Sequence, residues 1–164
     1  MTSEPPSPHS LMQKALSLAQ QSPPKPTNYC VGAVLFNPST NEIISTGYTL
    51  ELPGNTHAEQ CCIQKLAQQH NVPEEKIAEV LPPNVAIYTT MEPCNLRLSG
   101  NVTCVDRIIA ARNIKRVYLG VKEPEKFVGE NEGRKKLEQA GIECVHVPGL
   151  EEEILRVATA GHEK

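Results

Sequence analysis

His57, Glu59, Cys94 and Cys104 combine an imidazole, a carboxylate and two thiols at separations that suit a hydrolytic metal centre. "HAE" at 57–59 sets an imidazole and a carboxylate two residues apart, and "EPCNLRLSGNVTC" supplies two thiols with nine residues between them. A catalytic zinc needs three protein ligands and one open position for water. One imidazole (His57) and two thiolates (Cys94, Cys104) make such a set and balance the charge of Zn²⁺. Water in the fourth position ionises near neutral pH instead of at ~15.7. Glu59 is expected to be the catalytic residue: without being a ligand, it can take that water's proton and pass it to a nitrogen leaving group.

The nine-residue gap leaves other readings open, since zinc cysteines usually stand two to four residues apart. His57 and Cys61 are four apart on one helical face, and Cys62 could join them in place of Cys94. The blander alternative is a capping Glu, a surface His and core cysteines. Cys30 and Cys144 read as small buried residues in strands, and Cys61 and Cys62 as facing the sheet. A disulfide framework is not expected in a chain that reads as intracellular.

These residues need elements to hold them. "SLMQKALSLAQQS" carries an apolar helical stripe with Ser10 as its expected cap, and residues 1–9 read as a disordered tail. "YCVGAVLF" is an apolar run expected of a strand buried on both faces. "NPSTN" is a turn, and "EIISTGY" completes a hairpin. A helix over "HAEQCCIQKLAQQH" is expected to take Thr56 as cap and Glu59 as its capping-box partner. "VPEEKIAEVLPP" reads as an insertion or short helix, and "NVAIYTT" as a strand. "TCVDRIIAARN" is a helix and "IKRVYLGV" a strand. "ENEGRKKLEQAG" is a helix closed by a Gly, "IECVHV" a strand, and "GLEEEILRVATAG" a helix whose Glu151–Glu153 form an exposed first turn.

A hairpin followed by βαβαβ implies an α/β fold with one mixed five-stranded sheet covered by helices on both faces. Ligand sites in such sheets lie beyond the carboxyl ends of the strands, where the Cys94 loop leaves "NVAIYTT". Both His57 and Cys104 open helices, where the dipole favours thiolate and hydroxide. The 164 residues suffice for one domain, expected over 10–164. The net charge of −3 offers no basic surface for nucleic acid, and no apolar run approaches the ~20 residues that span a bilayer. The N-terminus is not a signal peptide, so a cytoplasmic location is expected.

"HAE" and "PC" follow the zinc deaminase signature H-x-E…P-C-x-x-C, except that nine residues replace the last two. With "NYCVGAV", "HAEQC", "TTMEPC" and "VYLGV" in order, residues 10–147 resemble the cytidine deaminase superfamily. That resemblance implies a three-layer α/β/α sandwich. "EPCNLRLSGNVTCVDRI" is similar to the riboflavin-pathway deaminases of fungi, through Arg97, Ser99, Gly100, Asn101 and Cys104. Members of that branch deaminate 2,5-diamino-6-(ribitylamino)-4(3H)-pyrimidinone 5'-phosphate, and some are fused to a further region. The resemblance implies Zn²⁺ as cofactor and a phosphorylated ribitylaminopyrimidine as the small-molecule partner, with neither nucleic acid nor membrane. A homodimer or higher homo-oligomer is implied by analogy.

Candidate substrate contacts are Asn28 before the first strand, Asn55 and Ala58 around His57, and Arg97, Ser99 and Asn101 in the loop. A guanidinium matches phosphate geometry; a solvated Arg97 and a turn-making Ser-Gly-Asn are the competing readings. Lys122 reads as a solvated residue with phosphate contact as its alternative. Two rival functions remain: deamination of another base, nucleoside or transfer RNA, and a non-catalytic zinc-binding subunit. The presence of Glu59 argues against the second.

Overall fold

The computed structural model describes residues 6–26, 28–54, 56–93, 103–122 and 133–162. In chain order the elements are α1 (Pro8–Ala19), β1 (Gly32–Asn37), β2 (Glu42–Tyr48), α2 (Ala58–Gln69), a 3-10 helix (Glu74–Glu79), β3 (Val85–Met91), α3 (Cys104–Ala110), β4 (Ile114–Val121), α4 (Gly133–Gln139), β5 (Glu143–His146) and α5 (Glu151–Ala158). They match the order read from the sequence, and the 3-10 helix falls within "VPEEKIAEVLPP".

The strands form one sheet in the order β2-β1-β3-β4-β5. β1 is antiparallel to both β2 and β3, while β3, β4 and β5 run parallel. The sheet is therefore mixed, as expected. At the hairpin, Asn41 takes φ 58° and the Asn37 side chain accepts the Ser39 amide at 3.1 Å. Such local bonding is why Asn favours turns.

Every residue of β1 and β3 is buried, as a strand covered on both faces requires. Side chains alternate between two apolar clusters, one on each face. Ala33, Leu35, Val85 and Ile87 join α2, α3 and α4 on one side. Val34, Phe36, Ala86 and Tyr88 join α1 and α5 on the other. Each fully buried Val or Ile contributes roughly 2 kcal/mol through removal from water. The three layers thus follow from strands that are apolar on both faces.

Three expectations shift in detail. α1 begins at Pro8, with Ser7 as the cap: its hydroxyl accepts the Ser10 amide, and Ser10 bonds back to the Ser7 amide. Ser10 is thus the third helical residue and not the cap, and residues 8 and 9 are helical, not tail. Pro8 suits the first helical position because its missing N–H would have no helical partner there. Cys30 is buried but lies ahead of β1, and Cys144 in β5 is only half-buried. α4 closes as expected at Gly141, φ +85°, with the Gly141 and Ile142 amides donating to Glu138 and Leu137. Among the described residues, no helix is long and apolar enough to cross a membrane.

Candidate metal and catalytic site

β3 carries the chain to the carboxyl edge of the sheet. There the Glu92 amide donates to Val121 O at 2.8 Å, continuing the pairing with β4. Pro93 follows, buried, immediately before Cys94. Cys94, Arg97, Ser99 and Asn101 lie outside the described residues, as does Asn55.

The chain re-enters at Thr103, whose hydroxyl caps α3 by accepting the Asp106 amide at 3.1 Å. This cap presents Cys104 as the first helical residue, with its side chain wholly buried. The signal was present in "TCVD", a Thr cap with an acidic residue three positions on.

His57 is the N-cap of α2, with extended backbone (φ −95°, ψ 159°). Its amide donates to the Gln60 side-chain oxygen at 3.2 Å. Capping therefore falls one residue later than expected, and Gln60 fills the place assigned to Glu59. Thr56 is not the cap because its hydroxyl donates to Leu52 O at 2.9 Å and closes the preceding loop. The Leu50 amide closes the same loop by donating to Thr56 O at 2.8 Å. The first turn of α2 lies hard against β2: a Cβ at Gly47 would come 2.3 Å from Ala58 O. Only glycine allows that approach.

His57 Nδ1 lies 3.3 Å from Cys104 Sγ, although 47 residues separate them in sequence. Two ligands of a tetrahedral zinc, at ~2.3 Å for sulfur and ~2.0 Å for nitrogen, stand about 3.6 Å apart. The observed spacing and the soft, buried donor pair fit that ion. Glu59 occupies the same first turn as Ala58 and is 4% exposed, an unusual burial for a carboxylate.

The alternative ligand pair is not assembled. Among the described residues, which include His57, Cys61 and Cys62, no three His, Cys, Asp or Glu side chains are grouped to hold a metal. Cys61 packs against β2 at Gly47, and Cys62 donates its thiol to Ala33 O at 3.4 Å. Burial pushes the Cys62 thiol well above its ordinary pKa, with the Glu59 charge adding to it. Cys62 is therefore held as a neutral thiol, facing the sheet. Ala58 is wholly buried in the apolar cluster on the α2 face.

Asn28 lines a cavity of about 810 Å³ together with Pro23, Lys25 and the loop Leu50–Gly54. Thr56 and His57 follow that loop in the chain, and neither His57 nor Cys104 is among the cavity's lining residues. The volume is within the usual range for small-molecule sites. Lys122 is exposed just past β4 and is not among the cavity's lining residues.

Residues 6–121 match the family of the cytidine and deoxycytidylate deaminase zinc-binding region. A diaminohydroxyphosphoribosylamino-pyrimidine deaminase of Schizosaccharomyces pombe is 39% identical over 151 residues, covering 92% of this chain and 35% of that protein. The chain thus spans about a third of that relative's length. A crystal structure of Aspergillus oryzae Rib2 deaminase, a C-terminal deletion mutant at pH 4.6, superposes with TM-score 0.89 and 51% identity over 96% of this chain and 94% of that one. The same deaminase in complex with DARIPP gives TM-score 0.87 and 50% identity over 96% and 93%. A bifunctional deaminase/reductase from Thermotoga maritima is more distant, at TM-score 0.71 and 26% identity, over 92% of this chain and 39% of that one.

Proposed function

The chain belongs to the cytidine and deoxycytidylate deaminase zinc-binding family, and on that premise we propose that it is a riboflavin-pathway deaminase. Its reaction is hydrolysis of 2,5-diamino-6-(ribitylamino)-4(3H)-pyrimidinone 5'-phosphate to 5-amino-6-(ribitylamino)uracil 5'-phosphate and ammonia. The observation that carries the reading is the His57–Cys104 pair at 3.3 Å with Glu59 on the same helical turn as His57. The likeness to the fungal deaminases supports the substrate class.

In this reading His57, Cys94 and Cys104 would hold zinc, which would supply the acidity that lets water ionise near neutral pH. Glu59 removes a proton from the attacking water and delivers it to a ring nitrogen. It then takes the proton of the hydroxyl newly bonded to the ring carbon and passes it to the amine, which leaves as ammonia as the C–N bond breaks and the C=O forms. Its burial keeps bulk water from competing for that proton and strengthens its electrostatic action. Asn28 and Asn55 hold the substrate at the mouth of the cavity, with Ala58 contributing its main chain. Arg97, Ser99 and Asn101 take the phosphate and ribityl hydroxyls, the guanidinium matching phosphate geometry. The active assembly is a homodimer or higher homo-oligomer of deaminase domains.

The test is to incubate zinc-loaded protein with the phosphorylated and dephosphorylated diaminopyrimidinone and measure ammonia. Release from the phosphorylated compound, with weaker turnover of the other, is expected. No ammonia from either sinks the proposal, and equal turnover of both removes phosphate recognition from it.

A further inference from the structure

The family match stops at residue 121, yet the segment after α5 reaches back to the cavity. Ala158 ends α5, and its carbonyl accepts the Cys30 amide at 3.0 Å. Four residues on, His162 Nε2 stands 2.9 Å from the carbonyl oxygen of Asn28. A carbonyl can only accept, so Nε2 carries the proton. The His162 ring also packs on the Tyr29 ring, centroids 4.8 Å apart. Gly161 passes so close to the same segment that a Cβ there would sit 2.2 Å from the Lys25 amide nitrogen.

Local bonds within the Lys25–Asn28 turn are long or isolated. One isolated bridge joins Lys25 to Asn28, and the Asn28 amide reaches Lys25 O at a long 3.4 Å. Isolated pairings of this size are marginal in water. Contacts from residues 158–162 add four further ties to the segment: the Cys30 amide, the Asn28 carbonyl, the Tyr29 ring and the Lys25 backbone. Lys25 and Asn28 are also the residues this turn contributes to the cavity wall.

We infer that His162 is a positioning residue for substrate binding. Its hydrogen bond to Asn28 and its packing on Tyr29, with Gly161 lying under Lys25, fix where this wall stands. The identity of the ligand rests on the proposed function; the positioning does not.

The experiment uses the zinc-loaded whole chain and the variants His162→Ala, His162→Gln and Gly161→Ala. Steady-state kinetics on the phosphorylated ribitylaminopyrimidine are paired with zinc content and amide hydrogen exchange. His162→Ala is expected to raise KM about fivefold to tenfold, as loss of one hydrogen bond predicts, with kcat within about twofold and zinc unchanged. Exchange at Asn28–Cys30 should accelerate in that variant. His162→Gln, whose side chain can donate to the same carbonyl, should recover most of the loss. Gly161→Ala should raise KM with His162 still in place. The inference is overturned if KM stays within about twofold in both His162→Ala and Gly161→Ala, or if kcat and zinc content fall together. Should the wild-type protein not turn over this substrate, the functional reading fails alone. Exchange at Asn28–Cys30 then still decides the positioning, and unchanged exchange overturns it.

Discussion

At the scale of single residues, the donors were legible because chemistry restricts their types. Few residue sets other than His57, Cys94, Cys104 and Glu59 could serve a hydrolytic zinc, and the order His-x-Glu before Pro-Cys narrowed the choice. Capping was less legible. Thr56, His57 and Glu59 each offer a polar side chain near the start of α2, and the sequence cannot say that Leu52 O will capture the Thr56 hydroxyl. The consequence is functional: Gln60 satisfies the His57 amide, and capping does not fall to Glu59. Glu59→Gln is therefore expected to fold, keep zinc and lose about 10²- to 10⁴-fold in turnover, the usual share of acid–base catalysis. Ammonia release and bound zinc measured on one preparation check this, and near-normal turnover removes Glu59 from its role. Zinc content also separates the cysteines. Cys104→Ser should lose the metal, whereas Cys61→Ser, altered against β2, should retain it. The reverse pattern would restore the ligand set that His57, Cys61 and Cys62 fail to form.

At the scale of elements, order and strand direction were legible from apolar runs and their separations, and boundaries were not. Ser7 and Ser10 both suit a cap, and Pro8 decides between them only once the helix is known to extend that far. The 3-10 helix has no periodic stripe to announce it. Ile77 anchors it in the core, and polar bonds add to that hold: Glu74 accepts from Gln64 of α2 at 3.0 Å and receives Arg107 of α3 through both carboxylate oxygens. Arg107 is only 9% exposed. Glu74→Ala would leave that guanidinium without its counter-charge, and a loss of about 3 kcal/mol is expected by chemical denaturation. Arg107→Met together with Glu74→Gln should cost clearly less; an equal cost would mean the network is not what matters. α5 depends on a carboxylate at its start. Hydrogen bonds from its own amide and that of Gly149 hold Glu151 below its ordinary pKa of 4.5, with a smaller part from His146. A group depressed on folding adds stability above its unfolded pKa and loses it as pH falls through the folded value. The Tm difference between wild type and Glu151→Gln should therefore be present at neutral pH and close in acid. A difference that persists unchanged in acid contradicts this role.

At the scale of the whole molecule, the sheet edge joins parts that the chain keeps far apart. His57 opens α2, Cys104 opens α3, and the Cys94 loop leaves β3, so an ion held by all three would tie three elements together at one point. The sequence allowed that convergence to be anticipated because strand ends in such sheets gather loops on one side. It could not reveal that residues 158–162, far outside the motif, would contact the Lys25–Asn28 segment that lines the cavity. Such a convergence would make a bound metal a stabiliser as well as a cofactor. Zinc bound only by the folded chain, at ~1,000 times its dissociation constant, adds about 4 kcal/mol. For a domain of this size each kcal/mol moves Tm by about 2–4 °C. Chelation under reducing conditions is thus expected to lower Tm by roughly 10 °C and abolish ammonia release, and equimolar zinc should restore both. His57→Ala should melt near the chelated wild type and gain nothing from added zinc. Identical melting of chelated and zinc-loaded wild type would show that these three elements are not joined through a metal.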